Sequence, residues 1–129
     1  MIEIADVPSE HNPAECLIQI LEDIERINRY TKGLDRAGFA GDDRSRDAVE
    51  CCLERICEAA IRLGEHGPEL MPDQPWADIR GMGNRLRHGY DRLSLAVIWG
   101  TIHDDLPALA ADARLALSRL LGGSPDPEH

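Results

Sequence analysis

The sequence predicts an all-α protein, a single antiparallel bundle of four or five helices in a chain of 129 residues. Apolar residues recur at three- and four-residue steps in several stretches, which is the period of amphipathic helices. No stretch alternates apolar and polar residues for long enough to indicate a sheet. Aromatic residues make up only 4% of the chain, so the predicted core consists of Leu, Ile, Val and Ala.

The first predicted helix follows a polar arm at residues 1–12. Asn12 is a suitable cap, and Pro13 fits the first turn, where its missing N–H costs nothing. The apolar stripe of this helix comprises Leu17, Ile20, Leu21, Ile24 and Ile27. The charged residues Glu22, Asp23, Glu25 and Arg26 fall mostly off that stripe. We expect the helix to run to about Lys32 and to stop at Gly33.

A loop at residues 33–43 precedes the second helix and ends in Asp42, which can cap it. One face of this helix carries Val49, Cys52, Leu53, Ile56, Ala60 and Leu63. Gly64 then ends the helix. Residues 66–75 contain three prolines and are predicted to form a connector without a helix of their own.

The third helix has an apolar stripe of Trp76, Ile79, Met82 and Leu86. Gly81, Gly83 and Gly89 each weaken it by about 1 kcal/mol relative to Ala, so we expect another helix to approach closely there, for instance at a dimer interface. Ser94 caps the fourth helix, which Pro107 is expected to kink or divide.

The bundle is predicted to span residues 13–121, with a polar tail at residues 122–129. The apolar run at residues 93–102 is far shorter than the roughly 20 residues that cross a membrane. The N-terminus also lacks a signal-peptide pattern, so we expect a cytoplasmic protein without membrane contact. The four cysteines match no zinc-ligand spacing, and we expect no metal, no cofactor and no disulfide: Cys16, Cys51, Cys52 and Cys57.

The net charge is −10, yet residues 76–92 hold four arginines against two aspartates. Within this stretch Asn84 and His88 are four residues apart and share a helix face, with Arg85 beside them and Tyr90 following. His transfers protons near neutral pH, and Arg binds phosphate. These groups can cleave RNA without a metal; an ordinary solvated helix face is the alternative.

The run from Trp76 to Tyr90 resembles the signature of HepT-type HEPN toxins, whose motif reads Arg-Asn-x-x-x-His-x-Tyr. Residues 17–34 resemble the first helix of that family. The run from Asp47 to Ala60 resembles the second helix, in which an acidic residue and an Ala follow an Ile-Gly pair. Residues 97–107 resemble the final helical region. The resemblance covers roughly residues 14–121 in the expected order and spacing.

The resemblance implies a HEPN-like helical bundle that forms a homodimer, with one composite ribonuclease site between the two copies. It also implies a toxin acting on RNA, such as tRNA or mRNA. The partner would be an antitoxin, a minimal nucleotidyltransferase of the MntA type. This antitoxin neutralises such toxins by transferring AMP to the motif Tyr, which here is Tyr90.

Carried over by residue, the resemblance makes His88 the proton-transfer group and Asn84 the residue that orients it. Arg85, three residues before His88, is expected from its spacing to support them. Glu58 takes the acidic position of the second helix, where it is expected to pair with a motif Arg. A solvated or ion-paired carboxylate is the alternative. The remaining candidates for phosphate contact are Arg46, Arg80 and Arg87.

Gly83 departs from the family pattern, because the motif has Arg five residues before its His. Arg80 or Arg85 can reach the phosphate instead. The chain can also be an inactive relative that keeps only a binding role, or a toxin attenuated by this substitution. We expect weak or absent RNA cleavage, because a phosphate-binding Arg stabilises the transition state by several kcal/mol.

Overall fold

The computed structural model describes residues 12–88 and 93–122, and all regular structure in these two ranges is helical. The elements in chain order are α1 (Pro13–Thr31), α2 (Arg36–Ala40), α3 (Asp43–Arg62), α4 (His66–Leu70), α5 (Trp76–His88), α6 (Leu95–Gly100), a π-helical segment (Thr101–Asp105) and α7 (Leu106–Leu120). The predicted all-α class is confirmed. The predicted arm and tail lie outside the described residues, except for Asn12 and Gly122. Within the described ranges, no helix has the length and apolar character needed to cross a membrane.

Side-chain caps begin the long helices where the sequence predicts them. Asn12 Oδ1 accepts a hydrogen bond of 2.9 Å from the amide of Ala14 at the start of α1. Asp42 Oδ1 accepts one of 3.1 Å from the amide of Ser45 at the start of α3. Ser94 caps α6 in the same way. Each cap satisfies a backbone N–H that has no partner within the first helical turn.

Two connectors contain short helices that the sequence analysis did not predict. α2 interrupts the expected loop at residues 33–43, and α4 lies in the proline-containing connector. α2 is fixed by tertiary packing, because Phe39 is fully buried with its ring centroid 5.4 Å from that of Trp99. One buried side chain gives no periodic stripe, so periodicity missed this helix.

α4 supports the start of α5 through Trp76. The indole Nε1 of Trp76 donates a hydrogen bond of 3.0 Å to the Met71 carbonyl. Its ring lies against Gly67 so closely that a Cβ at Gly67 would be 2.6 Å from Cη2 of Trp76. Gly67 is therefore required for this position of the ring, and the ring anchors the first turn of α5.

Replacing Gly67 by Ala is expected to lower the free energy of unfolding by about 1–3 kcal/mol, because the new methyl group overpacks the contact with Trp76. Urea denaturation measures the loss, and tryptophan emission in a Trp99→Phe background reports the displaced ring. Gly81→Ala is the control, since no atom lies within 4 Å of its new Cβ. The control should gain up to about 1 kcal/mol of helix stability. Equal stability of the two variants would contradict the prediction.

α3 is the central helix of the bundle. It packs against α1 and α5, and α1 also packs against α7. The stripes predicted for α1 and α3 form most of the core, together with residues of α6 and α7. α5 is different: Gly83 is the only buried residue among its 13 described positions, while Ile79, Met82 and Leu86 are half-buried.

The fourth predicted helix is divided before Pro107, as expected. The amide of Leu106 donates to the carbonyl of Thr101, five residues earlier, which closes a π-helical turn. Pro107 then occupies the first turn of α7, where its missing N–H needs no partner.

One buried carboxylate joins α1 to α3. Asp23 is fully buried, and its Oδ1 accepts hydrogen bonds of 2.9 Å from Arg55 of α3 and from Arg26. Gln19 donates to Oδ2 at 2.7 Å. Burial alone would raise the pKa of Asp23, but these donors outweigh it and hold the pKa below its ordinary value. Asp23 is therefore an ionised core residue, although the sequence groups it with the off-stripe charges.

Candidate functional site

The motif residues lie on the second half of α5 and face away from the core. Asn84 and His88 are both exposed, and their spacing of four residues places them on one helix face. Arg80 and Arg87 are exposed beside them, while Arg85 is exposed on the adjoining flank. α5 thus presents an amide, an imidazole and three guanidinium groups to solvent.

Asn84 has a definite partner in the structure. Arg87 Nη1 donates a hydrogen bond of 3.1 Å to Asn84 Oδ1. This contact turns the amide oxygen toward Arg87 and leaves the amide nitrogen as the group able to donate elsewhere. The orienting role of Asn84 toward His88 stays a prediction.

Tyr90, the predicted AMP acceptor, lies in residues 89–92, outside the described ranges. The chain is described again from Leu93, which is almost fully buried at 1% exposure. Leu93 thus marks where the chain returns to the core after the motif helix.

Arg46 points toward the protein in the structure. Its Nη2 donates a hydrogen bond of 2.8 Å to the Leu93 carbonyl, and its Nε lies 3.4 Å from Oε2 of Glu50. A phosphate contact by Arg46 stays a prediction. Glu50 was not among the predicted site residues, although its spacing of four residues from Arg46 is the spacing of a helical ion pair.

Glu58 is exposed on α3. It forms no ion pair with any residue of the two described ranges. Its predicted support of a motif arginine stays a prediction.

Gly83 is buried against α3 and directly precedes Asn84, the first of the exposed motif residues. A Cβ built on it would lie 3.1 Å from Cβ of Cys57 and 3.6 Å from Cδ1 of Ile61. The close helix approach predicted for the glycines therefore occurs within the chain at Gly83, while Gly81 is open. In this contact the larger side chain, that of Cys57, lies on α3 and the glycine lies on α5.

The Cys57 thiol fills this contact as an apolar group. Burial raises the pKa of Cys57 to about 11, although the charge of Arg87 opposes the shift. A thiol with this pKa stays protonated at neutral pH and is a poor nucleophile. All four cysteines are free, and the described residues contain no group of three or more His, Cys, Asp or Glu side chains that could hold a metal ion.

An all-α bundle with an Asn-His pair on one basic helix fits the HEPN-like fold that the resemblance implies, and comparison with known proteins specifies the family. The family described as "Ribonuclease HepT-like" matches residues 20–115. The chain is 32% identical over 95 residues to the "Probable ribonuclease HepT" of Thermococcus cleftensis, covering 74% of this chain and 86% of that protein. It is 28% identical over 107 residues to a candidate RNase of Methanocaldococcus jannaschii, covering 83% and 98%. No solved structure matches the chain.

The match extends from within α1 to within α7 and includes the whole motif helix. The chain therefore belongs to the HepT-like ribonuclease family. The resemblance found in the sequence is confirmed at this level, and RNA is the substrate class that the family indicates.

Proposed function

We propose that this protein is the RNA-cleaving toxin of a two-gene toxin–antitoxin module and that it acts as a metal-independent endoribonuclease. The observation that carries the proposal is the exposed Asn84–His88 pair on the basic face of α5, in a chain of a ribonuclease family. The acceptor of AMP in this proposal is Tyr90, and the antitoxin is a minimal nucleotidyltransferase of the MntA type.

In the proposed reaction the ribose 2′-oxygen attacks the adjacent phosphorus and the bond from phosphorus to the 5′-oxygen breaks. His88 takes the proton from the 2′-hydroxyl or gives one to the leaving 5′-oxygen. Arg80, Arg85 or Arg87 stabilises the negative charge that develops on the phosphate oxygens. The amide nitrogen of Asn84 orients the imidazole, while Arg87 holds the amide oxygen.

A second copy of the chain completes the site in this proposal. The motif face of α5 is open to such a copy, because Asn84 and His88 are both exposed.

Gly83 favours a second candidate function. The glycine is buried against Cys57, so no cationic side chain occupies the motif Arg position. A chain that lacks this cation can serve as a catalytically silent HEPN protein that binds the nucleotidyltransferase and accepts AMP at Tyr90.

Cleavage of RNA in EDTA by the purified full chain tests the proposal. His88→Ala is expected to lower the cleavage rate by about 100- to 10,000-fold, which is the range of general acid–base catalysis. His66→Ala is the matched control, because His66 is exposed on α4, away from the motif. Cleavage by His88→Ala at the rate of the control would overturn the nuclease proposal. If the nucleotidyltransferase then transfers AMP to the unaltered chain but not to Tyr90→Phe, the second candidate function, a catalytically silent AMP acceptor, is favoured.

A further inference from the structure

α3 holds the motif region at two points, one on each side of His88. Before His88, Gly83 packs against Cys57. After it, the Leu93 carbonyl accepts the hydrogen bond of 2.8 Å from Arg46. The later residue of the motif region, Leu93, contacts the earlier residue of α3, Arg46. α3 and the motif region therefore run antiparallel. His88, the last residue of α5, lies between the two contacts along the chain.

The second contact is largely withdrawn from solvent. The side chain of Arg46 is 21% exposed and that of Glu50 is 18% exposed. The guanidinium uses two of its donors in different directions, Nε toward Glu50 and Nη2 toward Leu93. A lysine at this position has a single ammonium nitrogen instead of a planar fork of donors, so it cannot hold Glu50 and the Leu93 carbonyl in the same way.

The Leu93 carbonyl also lies directly before the cap of α6. Ser94 accepts a hydrogen bond from the amide of Val97 through its side chain and one from the amide of Ile98 through its carbonyl. A guanidinium that fixes Leu93 therefore fixes the point where α6 begins.

We propose that Arg46, oriented by Glu50, is a positioning residue for the site on α5. It binds the backbone at Leu93 rather than RNA, and so it holds the end of α5 that carries His88. This inference rests on the proposed function, because positioning affects catalysis only if His88 acts on RNA.

The test compares Arg46→Lys and Arg46→Ala with Arg44→Ala, an exposed arginine on the same helix. Carbon–proton NMR signals of the imidazoles are recorded for the full chain, with His88 assigned through His88→Gln. Both Arg46 variants are expected to shift or broaden the His88 signals and to leave those of His66 unchanged. Glu50→Gln is expected to change the His88 signals in the same way but less strongly. It replaces an Arg46 variant that fails to fold.

RNA cleavage supplies the second readout. The reference is the unaltered chain or, if that chain is inactive, the Cys57→Gly/Gly83→Arg variant, which places an arginine at the motif position. Arg46→Lys is expected to lower kcat by about 10- to 100-fold with KM unchanged, which is the effect of misplacing a catalytic group. Ethylguanidinium should restore cleavage by Arg46→Ala, and ethylammonium should not.

Unchanged His88 signals in folded Arg46→Ala would overturn the proposal. A rise in KM with kcat intact would also overturn it, because that pattern belongs to a phosphate contact. If neither reference protein cleaves RNA, the proposed nuclease function fails, while the His88 signals still decide whether Arg46 positions the end of α5.

Discussion

Changing Gly83 to Arg and Cys57 to Gly in the same chain is expected to raise RNA cleavage by about 100- to 1,000-fold, the range of one preorganised transition-state donor. The new guanidinium would begin at the motif position and extend past Ile61, which is 38% exposed, toward solvent. Removing the Cys57 side chain clears the contact that would otherwise lie 3.1 Å from the new Cβ.

Gly83→Arg alone is expected to be less effective. Its Cβ overpacks the contact with Cys57, which costs about 1–3 kcal/mol of stability, so Tm should fall relative to the double variant. Rates of RNA cleavage in EDTA and melting curves measure both effects.

The matched control is Cys57→Gly/Gly83→Met, which supplies a long side chain without charge. Equal RNA cleavage by the Arg and Met variants would contradict a role for the cation. Adding His88→Ala to the Arg variant should abolish the gain. If the unaltered chain already cleaves RNA and the Arg variant cleaves no faster, Arg80 or Arg85 supplies the phosphate contact.

Replacing Arg55 by Met is expected to lower the free energy of unfolding by about 3 kcal/mol, because it removes the main partner of a fully buried carboxylate. Arg26 and Gln19 still donate to Asp23, which places the expected loss at the low end for a broken buried ion pair. Arg29→Met is the control, since Arg29 and Glu25 are both largely exposed and 3.8 Å apart. The control should change stability by less than about 1 kcal/mol in urea denaturation.

The pH dependence of unfolding tests the same cluster independently. The pKa of Asp23 is lower in the folded chain than its ordinary value of 3.8, so ionised Asp23 stabilises the fold above that value. This contribution is lost as the pH falls through the folded pKa, beginning at about pH 5. The unaltered chain should therefore lose stability in acid more steeply than Asp23→Asn. Parallel acid profiles for the two proteins would contradict the assignment of Asp23 as an ionised core residue.

Much of the fold could be predicted because α1, α3 and the helical region after Ser94 carry periodic apolar stripes and local caps. α2 depends on Phe39, and α4 is tied to the contact of Gly67 with Trp76. Neither contact leaves a repeating pattern in the sequence. The burial of Asp23 escaped prediction for a similar reason, since its partner Arg55 is 32 residues away.

The shared face of Asn84 and His88 followed from spacing alone, because four residues bring side chains together on any helix. The inward direction of Arg46 did not follow from spacing. The glycines predicted a close helix approach, but not which glycine is buried or that α3 is the partner. Both depend on how α3 meets the motif region, and a single sequence does not specify that packing.

The shallow burial of α5 has a consequence for local unfolding. A helix with one buried residue is fastened weakly to its scaffold, so its amides should exchange with solvent at a lower opening free energy than those of α3. Any molecule that covers α5 and binds only its folded form raises that opening free energy by mass action. The order of the motif helix then depends on the concentration of what binds it. Dilution would loosen α5 before it loosens the bundle.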